Sequence, residues 1–483
     1  MSLNVRDLEP KAIWQHFDDF NAVPRASKKE ERVIQFALDF GKNLGLQTEK
    51  DAVGNVIIRK PATSGMEDRK TVVLQSHLDM VHQKNNDTDF NFDTQGIQMF
   101  VDGDWVKADG TTLGADNGIG VAAIMGLLAS TDIPHPALEA LFTIDEETGM
   151  TGAKGLQGGI LTGDILLNLD TEEDTEIDIG CAGGVDVTAK LSYEPEQLPA
   201  NGRTYLLEVK GLQGGHSGME IHKGLGNANK ILTRILFELE PYSIRLGQID
   251  GGGLRNAIPR EARAWFGANA DDNLQTAVEN IAQAIRQEYR TVDSGLQIVL
   301  KQADTLSGVL PQTVQDKLIR GLYATHNGVY RMSADFDELV ETSNNVARVE
   351  VGKGNITIKC LTRSSVESSK MDLAQALRAT FELMGAEVTF SGDYPGWTPN
   401  ADSAILKVLT STYTRLFNEE PAVVACHAGL ECGILGSNYP GMDMISFGPT
   451  ILGAHSPQER VSISSVQKFW SFLLAILQET PKK

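Results

Sequence analysis

The run Leu138-Glu139-Ala140-Leu141-Phe142-Thr143-Ile144, ending in Asp145-Glu146-Glu147-Thr148-Gly149, constrains this chain more than any other stretch. A strand-like apolar segment stops abruptly at three adjacent carboxylates. Three like charges in a row repel one another, and a solvated surface turn would accommodate them. The segment before them, however, is apolar enough to be buried between two layers. In an open α/β sheet, ligands bind beyond the carboxyl ends of the strands. Carboxylates held there need a cation, and a divalent metal ion is the obvious one.

Other ligand types sit in similar places. The apolar strand Thr71–Ser76 leads into His77-Leu78-Asp79, Gly114-Ala115-Asp116-Asn117-Gly118 opens a small-residue helix, the apolar run Ile165–Leu169 ends in Asp170, and Gly453-Ala454-His455-Ser456 lies near the carboxyl end. Residues i and i+2 of a strand share a face, so His77 and Asp79 can point the same way. A metal-bound histidine commonly donates its second N–H to a carboxylate, a role that suits Asp79. The set is large enough for two borderline-soft ions, provided that one carboxylate bridges them. One glutamate should then stay unligated, as the base that takes a proton from water.

Strands alternating with helices predict a largely parallel α/β sheet over residues 1–183 and again over 394–483. Between them, residues 184–393 read as an inserted α+β domain. Its strands at Asn256 and Asn345, each led by an asparagine and followed by a long helix, point to an internal duplication. Near the start, Ser27-Lys28-Lys29-Glu30 reads as a capping box opening a second helix, and Arg348–Leu361 reads as one long strand.

Whole-chain properties exclude several functions. The 483 residues carry a net charge of −21 with no basic cluster to offset it, so neither nucleic acid nor an anionic membrane surface is an expected partner. Met1 to Pro10 is polar, so no secretory signal is expected, and no apolar run reaches membrane-spanning length. Four cysteines without a C-x-x-C pair argue against a disulfide framework and for a reducing cytoplasm.

In order and spacing, Ser76-His77-Leu78-Asp79, Gly114 to Gly118, Asp145 to Gly149, Asp170, Gly215-His216-Ser217-Gly218 and Ala454-His455-Ser456 resemble the co-catalytic zinc peptidases, the family of glutamate carboxypeptidase, carnosinases and deacylases. The chain length, the large insert and Cys426 to Gly433 resemble its aminoacyl-histidine dipeptidase branch. The resemblance implies a catalytic domain with an inserted lid and two zinc ions, replaceable by cobalt or manganese. His77 and Asp170 would hold one ion, Glu147 and His455 the other, and Asp116 would bridge. Asp79 would orient His77, Glu146 would act as general base, and the peptide bond after Asp116 would be cis. In the lid, His216 would stabilise the oxyanion, and Asn256 and Arg363 would hold the substrate's terminal carboxylate. Glu431 is a candidate for the substrate ammonium.

The expected activity is hydrolysis of unblocked dipeptides, including Xaa-His and β-alanyl-histidine, by water activated between two metals. The expected partner is a small peptide, with a homodimer as the assembly. A doubled lid would complete each site within one chain, its first half bringing His216 and its second Arg363. An N-acyl amino acid deacylase of the same mechanism is the alternative. A catalytically silent metal-storage or scaffold protein would be expected to lack Glu146.

Overall fold

The computed structural model describes residues 4–198, 202–269, 272–304 and 306–483. The chain divides into two compact units, one comprising Met1–Gly180, Pro399–Ala425 and Leu430–Lys483, the other Cys181–Thr398 and Cys426–Gly429.

The first unit is built on an eight-stranded sheet. Its strands run in the order Gln47–Lys50, Val56–Lys60, Leu138–Thr143, Val72–His77, Ile165–Asn168, Asp443–Ser446, Glu176–Cys181 and Ala422–Cys426. The four central neighbours from Leu138–Thr143 to Asp443–Ser446 pair in parallel, whereas Val56–Lys60 and Gln47–Lys50 add an antiparallel edge. Every residue of Val72–His77 and of Leu138–Thr143 is buried. That is why neither shows apolar-polar alternation along its length, and why the one charge inside them, Glu139, is paired with Arg59 at 3.0 Å. The helix Ala115–Ala129 is buried along nearly its whole length, and its small apolar residues from Gly118 onward suit burial on all sides.

Ser27 to Glu30 does not form a capping box. The second helix starts only at Glu31, with no side-chain cap. Ser27 Oγ instead donates to Asp79 Oδ2 at 2.8 Å, and Glu30 Oε1 accepts the backbone N–H of Asp145 at 3.1 Å. Tertiary partners at the ends of the sheet strands outcompeted a local cap.

The second unit carries a nine-stranded antiparallel sheet in the order Gln297–Gln302, Gly202–Lys210, Ala262–Asn269, Arg245–Gly252, Val340–Gly352, Asn355–Ser364, Gly183–Ser192 and Glu387–Tyr394, with Gly328–Met332 also paired to Val340–Gly352. The helices Ala228–Glu238, Asp272–Glu288, Gln312–Ala324 and Glu367–Leu383 share one apolar core with it. Arg348–Leu361, expected as a single strand, spans a hairpin. Lys353 and Gly354 both take positive φ (50° and 79°), the geometry of a two-residue turn whose twist matches its strands. Asn345 does not lead into a strand but is buried inside Val340–Gly352, where its amide donates to the carbonyls of Arg255 and Ala257 at 3.1 and 2.8 Å.

Candidate metal centre

Three parallel strands of the first unit end side by side. Val72–His77 closes on His77, Leu138–Thr143 is followed by the carboxylate triplet, and Ile165–Asn168 is followed by Asp170. Among the described residues, two groups have ligand atoms within 4.8 Å of one another: His77, Asp116 and Asp170, and Asp116, Glu147 and His455. Asp116 belongs to both through different oxygens. Its Oδ1 lies 3.1 Å from His77 Nε2, and its Oδ2 lies 3.2 Å from His455 Nε2. Asp170 Oδ1 stands 3.5 Å from His77 Nε2, and Glu147 Oε2 stands 3.0 Å from His455 Nε2. The peptide bond between Asp116 and Asn117 is cis.

Asp79 is fully buried and ties these groups together. Its Oδ1 lies 3.4 Å from His77 Nδ1 and accepts the backbone N–H of Glu146 at 3.0 Å, and its Oδ2 accepts that of Glu147 at 3.3 Å. Asp79 thus orients the imidazole, whose Nδ1 also lies 3.1 Å from its backbone carbonyl, and its carboxylate orients the turn carrying two of the acidic side chains. The triplet itself divides by role. Asp145 turns inward to accept the hydroxyl protons of Thr148 and Thr151, which closes the loop and leaves Glu146 and Glu147 to the site.

The donor set suits divalent cations. Hydrogen bonds to Asp116 and Glu147 raise the His455 imidazole to about 11, and its partner Asp116 is held below the usual carboxylate range despite burial. The field that retains a proton so strongly also favours a metal ion. Glu147 Oε1 is buried without a hydrogen-bond partner, an expensive arrangement unless an electropositive atom faces it. Two imidazole nitrogens among carboxylate oxygens form a ligand set that suits zinc and similar borderline ions.

The family model for "Peptidase family M20/M25/M40" matches residues 73–479. The chain belongs to that family. This M20/M25/M40 member is 47% identical to the cytosol non-specific dipeptidase of Escherichia coli (strain K12) over 99% of both chains. It superposes on the crystal structure of aminoacylhistidine dipeptidase from Vibrio alginolyticus with a TM-score of 0.96 and 43% identity, covering 100% of this chain and 99% of that one. Aminopeptidase PepT from Bacillus cereus shares the fold at 16% identity, with a TM-score of 0.57 and 98% and 99% coverage.

In this M20/M25/M40 chain, two buried charges that the sequence reading missed support the metal centre. Glu459, 3% exposed, accepts the backbone N–H groups of Leu113, Gly114, Ala115 and Asp116 at 2.7, 3.0, 2.7 and 3.3 Å. Arg25, 1% exposed, donates to the carbonyls of Leu78, Asp79 and Gly114. Gly114 adopts φ 70°, and a Cβ there would collide with the Arg25 guanidinium, so this position demands glycine twice over. Both charged residues sit in polar loop sequence. The only local signal is that Glu459 follows His455 by four positions.

The remaining predicted residues fall in two places. Glu431, proposed for a substrate ammonium, is 1% exposed, and its Oε2 accepts from Gln75 and Thr143, each at 2.6 Å. Burial pushes its carboxyl up to about 8. Oε2 thus braces the strand framework, whereas Oε1 is buried and, among the described residues, has no hydrogen-bond partner. His216, Asn256 and Arg363 belong to the second unit. His216 pairs with Ala257, next to the exposed Asn256. Its Nδ1 accepts the N–H groups of Gly218 and Met219 at 3.2 and 3.1 Å. The ring proton therefore sits on Nε2, where it can be donated. Burial and the Arg363 charge lower the pKa of this imidazole and keep it neutral.

Proposed function

We propose that this chain is a dinuclear zinc dipeptidase acting on unblocked dipeptides, Xaa-His and β-alanyl-histidine among them. The observation that carries the reading is the division of Asp116 between two ligand groups, one oxygen to each. His77 and Asp170 would hold one zinc ion, Glu147 and His455 the other, with cobalt or manganese as substitutes. Support for the substrate class comes from the two close relatives, a non-specific dipeptidase and an aminoacylhistidine dipeptidase.

Bound divalent ions supply Lewis acidity, polarising a carbonyl and bringing the pKa of water towards neutrality. The chain's own residues do the rest. Glu146 takes the proton of the attacking water and returns it to the leaving amine. Burial pushes its carboxyl well above the ordinary carboxylate range, towards the region where one group can serve as both base and acid. Asp79 holds the His77 imidazole and the Glu146 backbone in register. His216 is assigned to the oxyanion through its Nε2–H, a neutral donor that needs no reorganisation as charge develops. Arg363 is assigned to the substrate's terminal carboxylate, with Asn256 beside His216 as a further polar contact.

The reading includes a cytoplasmic location, no nucleic-acid or membrane partner, and a homodimer. Among the described residues, no helix is long and apolar enough to cross a membrane. The second unit, with its paired sets of strands and helices, is read as a doubled lid. The test is chelation followed by reconstitution with zinc. Hydrolysis of β-alanyl-histidine should disappear and return, while its N-acetyl form stays intact throughout. Preferred cleavage of the N-acetyl form would replace this reading with a deacylase.

A further inference from the structure

Arg363 is 4% exposed, and among the described residues no carboxylate forms an ion pair with it. Asp186, whose charge it feels, is already paired with Arg255 at 3.0 Å. The Arg363 Nε is buried without a hydrogen-bond partner. A buried guanidinium lacking a counter-ion is costly, so this one is prepared for an anion. Among the described residues, its one hydrogen bond to another side chain runs from Nη1 to the hydroxyl of Tyr394, at 2.8 Å.

That contact is built across three strands. Gly184 is the register partner of Arg363 on one side and of Tyr394 on the other. A Cβ on Gly184 would meet the Tyr394 ring and hydroxyl at 2.7–2.8 Å. The bare middle strand therefore leaves a lane through which the phenol reaches the arginine. The register shift between Ser391 and Tyr394, with Gly392 at φ 59°, delivers Tyr394 to this row. Lys370, itself fully buried, then donates to the Tyr394 carbonyl at 2.8 Å and to Asp393 at 2.7 Å. Both the backbone and the ring of Tyr394 are thus held.

From this row we infer that Tyr394 is a positioning residue for substrate selection. It anchors Nη1 of Arg363, so that the opposite Nε–Nη2 edge of the guanidinium is turned to grip a peptide's terminal carboxylate. The inference rests on the assignment of Arg363 to that carboxylate. A guanidinium grips a carboxylate best through two parallel N–H groups in one plane, and rotation about the end of the side chain destroys that match. Fixing Nη1 removes the rotation. Tyr394 acts only through Arg363, so its effect should follow the substrate's carboxylate.

The test compares a free dipeptide with the corresponding dipeptide amide in the zinc-loaded wild type, Tyr394→Phe and Arg363→Lys. Tyr394→Phe removes a single oxygen and leaves the strand, Lys370 and the ring in place. It should raise KM for the free dipeptide about 10-fold, the scale of a lost hydrogen bond to a charged group. The amide's KM, kcat for both substrates and the Tm should hold. Arg363→Lys should lower the acid-to-amide preference further. Should Arg363→Lys leave that preference unchanged, the assignment of Arg363 fails and the inference with it. If Arg363→Lys lowers it but Tyr394→Phe does not, or if Tyr394→Phe costs acid and amide equally, the inference alone is overturned.

Discussion

Glu459 Oε1 accepts the backbone N–H of Ala115 at 2.7 Å, one residue before the aspartate shared by both ligand groups. The other oxygen of the same carboxylate takes the N–H groups of Leu113 and Gly114. A side chain that touches no ligand atom thus sets the path of the backbone from which Asp116 projects. Glu459→Gln keeps the shape but offers one acceptor oxygen where the carboxylate offers two. Affinity for zinc should fall roughly 10–100-fold, as for other outer partners of metal ligands. Calorimetric titration of the metal-free protein measures this directly. Wild-type affinity in that variant would mean the loop holds its shape without Glu459.

Glu146→Gln should reduce turnover by at least about 10²–10⁴-fold while both metal ions remain bound, because an amide keeps the shape but cannot accept the proton. Elemental analysis alongside the rate assay separates the possible roles. A missing ion would reassign Glu146 as a ligand.

Asp79→Ala removes the carboxylate 3.4 Å from His77 Nδ1 and the acceptor for the Glu146 and Glu147 N–H groups, while the backbone carbonyl of this position, 3.1 Å from Nδ1, remains. The expected outcome is metal affinity weakened roughly 10–100-fold and a lower kcat in enzyme saturated with metal. An Asp79→Ala enzyme whose activity returned fully with excess zinc would limit Asp79 to metal retention.

His427 is 7% exposed, and its Nε2 lies 2.8 Å from Ser343 Oγ. Burial, reinforced by the charges of Arg363, His216 and His222, lowers the imidazole to about 3. The folded state therefore prefers the neutral ring. This contribution to stability is complete above the unfolded pKa near 6.5 and is lost as pH falls from there towards about 3. Denaturant unfolding across that window should show the wild type losing stability relative to His427→Gln, by an amount on the order of a few kcal/mol. Parallel pH profiles for the two proteins would show that protonated His427 finds solvent without unfolding.

Much of the candidate metal centre was legible because its residues sit where secondary structure changes. A buried parallel strand holds a charge only when it is paired, as Glu139 is with Arg59, so His77, the triplet and Asp170 each mark the point where an apolar run ends. Their alignment in the sheet confirms the α/β expectation. The Ser27 to Glu30 motif shows the opposite case. Its spacing is right for a cap, yet Ser27 bonds Asp79 and Glu30 bonds Asp145, more than fifty and a hundred residues away. The Lys353–Gly354 turn was missed because alternation continues on both sides, and only the positive φ values break the strand.

The sequence by itself determined which residue types bear the chemistry and which strands carry them, since hydrophobic runs, their breaks and the ordered motifs are local properties of the chain. Only the tertiary structure decided which charges gather into the candidate metal groups and which serve as supports. Arg25 and Glu459 look like ordinary loop charges in the sequence, and each becomes a structural clamp only once burial leaves backbone groups as its partners. Glu431, equally acidic and equally placed in a motif, is buried with one oxygen bonded by Gln75 and Thr143 and the other without a partner among the described residues. Burial and long-range hydrogen bonds assign these roles because the free energy of a charge depends on what surrounds it, and that environment is assembled from distant parts of the chain.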